Sequence, residues 1–488
     1  MEDNYEAGQP DWGEADAPPK NMAELVEEQQ FAADVPSATD LLEKRLPEIL
    51  CVGDVWYAFE NGIWKPTDHN VYRPLALRVL VEAKRTDRNC QHVLRTLESR
   101  KQVPREEMRS FARFDDEGSV LVCCRNGVLR VTAETADLLP HDAHYYFTRQ
   151  AAAAYDTSAG CELFRSVESE ALPDEADQEL LETFAGYTLL PSCDLEVALF
   201  CFGATATSKS TLWEFGFGSA LGSARTSDRD CEQGSDLVTS ISLSSLCSGN
   251  GYSIPRLEKA ALNLGGEASA GELSESDMFK LLAEGAAMEV RAIYGRPFTM
   301  RGYHVKLVFL GNHLPRFKAG TDAELRRCRF LHFMRSPETK DPTLKPRIAA
   351  ERDGIFSQVM VPRLQGLLAN RRMPMGGEES QRIMLRFALQ NDPIKVFGDE
   401  CCDFGPDVHE NKDRLFAAFY AFCERNDLSS GLRTRDVFFM KLRAAYPAIA
   451  DYRPRERGAR EYRLRGIEVK EGVPCPPIND LAYLREEK

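Results

Sequence analysis

The sequence predicts a multidomain α/β fold built round a phosphate-binding core, and three observations predict it. Apolar, strand-like runs at 197–202, 260–264 and 305–311 alternate with helical and loop segments, the order of a parallel sheet covered on both faces. A Gly/Thr/Ser loop, Gly203-Ala-Thr-Ala-Thr-Ser208-Lys209-Ser210-Thr211, separates the first run from a helix starting near Ser210. The length, 488 residues, exceeds one ordinary core, and composition shifts on both sides of this stretch.

Taken in order, residues 1–45 read as a disordered acidic tail. The first forty hold eleven Asp or Glu against one basic residue, Lys20, too little apolar surface to order a chain. Residues 46–168 read as an α+β accessory domain. It has hairpin signals at Asn61-Gly62 and Asn126-Gly127 and a helical stretch over 72–97. A short helical collar is expected over 169–192, because 174–187 carries apolar residues at helical spacing. The nucleotide-binding core spans 193–372, with ligands expected at the carboxyl ends of its strands. Residues 390–470 read as a winged helix-turn-helix: helices over 412–426 and 434–445, then an Arg-rich hairpin over 452–467. A tail, 471–488, follows.

Composition narrows the function classes. Hydrophobic residues at 43% and charged residues at 28% are those of a globular protein. No run approaches the roughly 18 uncharged apolar residues of a membrane span, and residues 1–10 are acidic and polar. A cytoplasmic protein with no membrane partner is expected. The 14 cysteines are scattered and lack zinc-site spacing, so reduced thiols are expected. The net charge of −15 excludes attraction of the whole chain to nucleic acid and shifts attention to local basic segments.

The chemistry concentrates at the strand ends. A phosphate loop, GxxxxGK[ST], offers backbone N–H groups at a helix N-terminus; its Lys reaches the phosphates and its hydroxyl holds Mg²⁺. Here Gly203, Thr207, Ser208, Lys209, Ser210 and Thr211 are the candidate ATP-binding residues, with Ser208 in place of the second glycine. Two conformations are open at Ser208: negative φ with near-normal binding, or a strained positive φ with weaker binding. Glu267, after the second strand, is the candidate to polarise the attacking water and, with Ser210, to hold the metal. Gly266 stands where a metal-binding Asp is usual. Asn312, after the third strand, is the candidate sensor of the γ-phosphate. Arg326 and Arg327 are candidate fingers acting on a neighbouring subunit's nucleotide. In the basic hairpin Arg453, Arg455, Arg457, Arg460 and Arg463 are candidate phosphate contacts, with Arg465 alongside and Tyr452 or Tyr462 placed to stack on bases.

Together these elements resemble the phage/plasmid-type and poxvirus-type primase–helicases, a superfamily-three group. The resemblance runs over about 120–467. It is carried by Asn126-Gly127, Leu139-Pro140-His141, Tyr155-Asp156, Cys161, Phe164, Gly186-Tyr187, Leu243, Glu267, Lys280, Arg291, Gly311-Asn312-His313-Leu314-Pro315 and Arg326-Arg327. It implies an AAA+ core with a C-terminal winged helix and a hexameric ring on single-stranded DNA. ATP and Mg²⁺ are its implied cofactors, and replication-initiation or primase proteins are candidate partners. It also implies that Lys280 and Arg291, with Arg296 nearby, lie in a segment projecting into the ring channel. Ser208 departs from the family loop. The N-terminal part is short and lacks an evident pair of catalytic acids, so no primase activity is expected. Two alternatives remain: a ring that binds ATP and DNA with little hydrolysis, and an ATPase that loads or assembles other proteins without unwinding.

Overall fold

The computed structural model describes residues 31–222, 237–247, 251–266, 272–273, 277–291, 297–312, 316–317, 322–335, 341–426, 428, 434–452 and 462–477. The acidic tail up to residue 30 and the C-terminal tail from 478 lie outside them. The chain divides into two compact units, and this division differs from the single accessory domain expected over 46–168. One unit runs to Phe111 and takes back Pro140–Gln150; the other holds Ala112–Leu139 and Ala151 onward.

The first unit begins inside the segment expected to be disordered. Val35–Arg45 is a helix, capped by Asp34, whose carboxylate accepts from the Ser37 N–H at 2.9 Å. Its buried Ala38 and Leu42 lie four residues apart, an apolar stripe that the acidity of the preceding residues obscures. Strands Ile49–Val52, Val55–Glu60 and Ile63–Thr67 form an antiparallel meander. Its second turn has Asn61 at φ 52° and Gly62 at φ 84°, the double positive φ that selects Asn-Gly. The single helix expected over 72–97 is two, Arg73–Arg78 and Asp87–Arg100, the second started by a Thr86 cap. Trp56, Leu75, Val79, Val93 and Leu97 fill the core beneath.

The second unit opens with an antiparallel sheet of four strands, Ala112–Phe114, Val120–Cys124, Gly127–Val131 and Ala136–Leu139. Its register pairs Cys124 with Gly127, so the hairpin turn is Arg125-Asn126 and not Asn126-Gly127. Asn126 is spent elsewhere: its amide donates to Tyr155 O at 3.0 Å and accepts from Tyr155 N at 2.9 Å. Helices Glu162–Ala171 and Glu175–Tyr187 follow, the latter capped by Asp174. A Cβ on Gly186 would lie 2.8 Å from Leu364 N, so that glycine lets the second helix approach Val361–Asn370 closely.

The core sheet is wholly parallel. Its order is Cys328–Phe333, Ala198–Gly203, Lys306–Gly311, Leu262–Gly265, Val238–Thr239. One face buries Phe200 against Phe309 and Phe330, and Phe330 against Phe387, with ring centroids 4.8–5.4 Å apart. On the other face Trp213 donates its indole N–H to Cys201 Sγ at 3.1 Å. Both faces are covered, as the unbroken apolar strands require. Phe279 and Leu282 of the helix Asp277–Glu284 join the first face, and the hairpin Met288–Val290/Phe298–Met300 follows that helix.

The terminal part packs helices Pro393–Cys401, Lys412–Arg425 and Arg435–Ala445 on a sheet ordered Cys402–Asn411, Arg463–Val469, Ala450–Tyr452. Phe397, Phe419, Phe422 and Phe438 are its aromatic core. Among the described residues no helix is long and apolar enough to cross a membrane, and none of the described cysteines forms a disulfide.

One buried cation sets a measurable pH dependence. Lys306, at the amino end of its strand, is 1% exposed; its ammonium donates to Leu190 O at 2.9 Å and His304 O at 2.6 Å and lies 4.3 Å from the Tyr187 ring. Burial pushes its amine down to about 8, against the opposing pull of Cys193 and Asp194. Its folded pKa is below the unfolded value, so its contribution rises with pH between about 8 and 10.5 and is lost as pH falls through 8. Against Lys306→Met, the wild type is therefore expected to gain relative stability over that window in urea titrations. A pH-independent difference would contradict this.

Candidate functional site

Parallel strands bring their carboxyl ends to one edge, and the phosphate-loop candidate sits there. Gly203 closes its strand at φ 148°, and a Cβ on it would lie 2.1 Å from Phe333 O. No side chain fits there, which explains this glycine in physical terms. The chain then turns through Ala206 (φ 65°) and Ser208 (φ 64°) into the helical residues Lys209 and Ser210 and a π-helix, Thr211–Phe217. Of the two conformations open at Ser208, the structure holds the positive one. Ala206 adopts it as well, which the sequence did not suggest. Each non-glycine residue in this region costs about 1–3 kcal/mol.

The loop closes on its own lysine. Lys209 Nζ donates to Gly203 O at 2.8 Å, Ala204 O at 2.6 Å and Thr207 Oγ1 at 2.9 Å. Thr207 is 1% exposed, and its hydroxyl donates to Ala204 O at 2.9 Å. Its side chain therefore braces the loop from inside. Thr211 is also buried. Ser210, half-buried at the helix start, keeps the position of a metal-binding hydroxyl. Ser208→Gly removes the strain and keeps Lys209, so the Michaelis constant for ATP is expected to fall about 5- to 150-fold. An unchanged value would show that the strain is not charged to binding.

The neighbouring strand brings Asn312 to the same edge. The register pairs Gly311 with Phe202, so Asn312 comes level with Gly203. Next to it the strand Leu262–Gly265 is anchored by Asn263, whose side chain accepts from Ile241 N at 2.8 Å and donates to Ile241 O at 2.9 Å. Gly266 is exposed with open space at its Cβ position. Glu267 lies outside the described residues.

Arg326 and Arg327 occupy the opposite edge. They end the helix Asp322–Arg327, which feeds the amino end of Cys328–Phe333, about 17 Å of strand away from the loop. They cannot serve the loop of their own subunit. The two also differ from each other. Arg327 is 2% exposed and pairs with Glu284 and, at 3.4 Å, with Glu196. The two candidates for the finger therefore differ in their surroundings: the buried Arg327 is held by two carboxylates, whereas Arg326 reaches solvent with its side chain 66% exposed.

The nucleic-acid candidates separate similarly. Arg291 is exposed where the hairpin leaves its first strand, Met288–Val290; Arg296 lies outside the described residues. Lys280 is not on this hairpin but on the preceding helix, with its ammonium 2.8 Å from Asp277. In the terminal sheet Arg463 opens its strand opposite Tyr452 and Asn411. Arg453, Arg455, Arg457 and Arg460 lie outside the described residues. Arg465 donates to Pro406 O at 2.8 Å, and Tyr452 lies against His409 with centroids 5.3 Å apart.

Residues 40–173 match the family model described as D5 N terminal like. That is just over a quarter of the 488 residues. No curated protein matches the chain. Among solved structures, an A form apo structure of the NrS-1 C terminal region is 10% identical, covering 89% of this chain and 100% of that one, with a TM-score of 0.48. A second apo structure of that region (305-718) is 9% identical, covering 90% and 100%, with a TM-score of 0.45.

Sequence reasoning missed two exposed groups. Met334 and Arg335 leave the sheet directly after Phe333, which pairs with Gly203, so they emerge on the loop edge. Met440, 62% exposed, and Lys441 form the outer side of the helix Arg435–Ala445, whose Phe438, Phe439 and Leu442 point inward. The second group was readable from helical period; the first required the strand order.

Proposed function

We infer that the chain is an ATP-dependent ring helicase that moves on single-stranded DNA in the replication of a phage, plasmid or other mobile element. The observation that carries this reading is the meeting of Lys209, Ser210 and Asn312 on the carboxyl edge of one parallel sheet. The strand ending in Asn312 lies between the loop strand and Leu262–Gly265, an order that supports an AAA+ core. The helix–strand–helix–helix–strand–strand order after residue 392 supports a winged helix. The D5 N terminal like match ahead of the core supports the primase–helicase family.

The loop suits a polyphosphate: its turn sits at a helix start, holds a cation and has no room for a side chain at Gly203. Ser210, with Glu267, would hold the metal. Mg²⁺–ATP, when bound, would supply the γ-phosphoryl group that passes to water, with ADP as the leaving group. Lys209 exchanges its three loop acceptors for phosphate oxygens, Asn312 orients the water, and Arg326 from an adjacent subunit neutralises developing charge. Arg291, on its hairpin, would face the DNA in a hexameric channel, with Lys280 at its base, and the basic hairpin after Tyr452 would capture DNA.

A forked-duplex unwinding assay tests the reading. Wild type is expected to unwind, and Arg291→Ala to lose DNA-stimulated turnover with a single-strand salt slope lower by about 0.7. Wild-type behaviour of that variant would remove the hairpin from the channel. The positive φ at Ala206 and Ser208 favours one second reading, a nucleotide- and DNA-binding ring with little hydrolysis.

A further inference from the structure

A cleft of about 500 Å³ opens between the helices Glu162–Ala171 and Glu175–Tyr187 and the π-helix Ile355–Met360, with no residue of the phosphate loop in its lining. Glu168 lines it and is 1% exposed. Its Oε2 accepts from Arg165 at 3.2 Å, but its Oε1 is buried with no hydrogen-bond partner. A buried, unpaired carboxylate oxygen is costly, and a donor arriving in the cleft would relieve that cost.

The donors already present are committed. Arg165 is shared between Glu168 and Glu182, and Glu182 also accepts from Arg363 at 2.8 and 2.6 Å. Gln178 donates its amide to Leu172 O at 2.7 Å and Gln358 donates to Ala159 O at 2.5 Å. Those bonds fix which end of each amide is nitrogen and leave each Oε1 as an acceptor. Glu162 adds an exposed carboxylate to the lining. Around Glu168 stand Arg165 and Glu162 on its own helix, Glu179 and Glu182 on the next, and Arg363 on Val361–Asn370. Glu351 accepts from Leu163 N and Phe164 N. The carboxylates outnumber the two guanidiniums.

An acceptor-lined, acidic cleft calls for a ligand rich in N–H donors. Among the described residues no three His, Cys, Asp or Glu side chains group as a metal ion requires. We propose that this cleft is a binding site for a guanidinium or alkylammonium cation, with Glu168 Oε1 as its buried anchor and the Gln178 and Gln358 carbonyls as further acceptors. The anchor must be ionised to bind. Burial raises its carboxyl to about 7, so binding strengthens as pH rises through that value and releases a proton.

Calorimetric titration of the full chain with agmatine, which carries both cations, tests this. One site per chain is expected, about tenfold tighter at pH 8 than at pH 6. Glu168→Gln is expected to weaken it at least tenfold. Ser169→Lys places an ammonium at the cleft from an exposed position and spares the Glu168–Arg165 pair, so it is expected to block agmatine while circular dichroism stays unchanged. Agmatine binding with unchanged mass in solution assigns the site to a small free cation. Dissociation of an oligomer by agmatine assigns it to a Lys or Arg side chain of a neighbouring copy. No binding at pH 8, or binding indifferent to both substitutions, overturns the proposal.

Discussion

Arg326→Ala is expected to lower ATP turnover by about 10³–10⁵ while leaving ATP binding and stability nearly intact. Arg327→Ala is expected to do the reverse. Arg326 is largely exposed, with only a loose approach to Glu196 at 3.8 Å, so its removal strands no buried charge. Arg327 is 2% exposed, and its loss leaves Glu284 and Glu196 without their shared cation. The carboxylates left behind are a third to a half exposed and regain water, so the loss comes mainly from the packing of the buried guanidinium and costs about 1 kcal/mol. Urea titration and steady-state turnover separate the two effects. If Arg327→Ala is stable and inactive while Arg326→Ala turns over normally, the assignment of the finger is reversed.

Lys209→Ala is expected to abolish turnover and to weaken ATP binding. Its ammonium is the loop's only cation, and its three present acceptors, the carbonyls of Gly203 and Ala204 and the Thr207 hydroxyl, also shape the turn. The substitution thus removes the phosphate contact and the brace together. Ser208→Gly, by contrast, removes strain alone. The double variant Ser208→Gly/Lys209→Ala is expected to stay inactive. Turnover in it would mean that phosphate is held by some other group.

What the sequence disclosed follows from the range of the physics involved. Strand ends, the Asn61-Gly62 turn and the helix Glu175–Tyr187 are set by local pattern, and each was readable within a few residues. The loop, Lys209 and Asn312 were readable because strand–loop–helix order fixes the carboxyl edge. Other features depend on contacts distant in sequence. Asn126 serves Tyr155 instead of its own turn. Arg327 looks identical to Arg326 until packing buries one of them against Glu284. The helix Val35–Arg45 was obscured by its acidic flank, although its apolar spacing was present. Glu168 carries no signal in its local sequence, and its burial comes from the packing of elements distant along the chain.

Hydrolysis at a site shared between subunits is tested most directly by mixing Arg326→Ala with Lys209→Ala protein. Alone, each should be inactive. In an equimolar mixture, interfaces that join the intact loop of one protomer to the intact arginine of the next should restore about a quarter of wild-type turnover, if subunits combine at random in a head-to-tail ring. A mixture as inactive as its components, in particles shown by mass photometry to be mixed rings, would contradict a shared site.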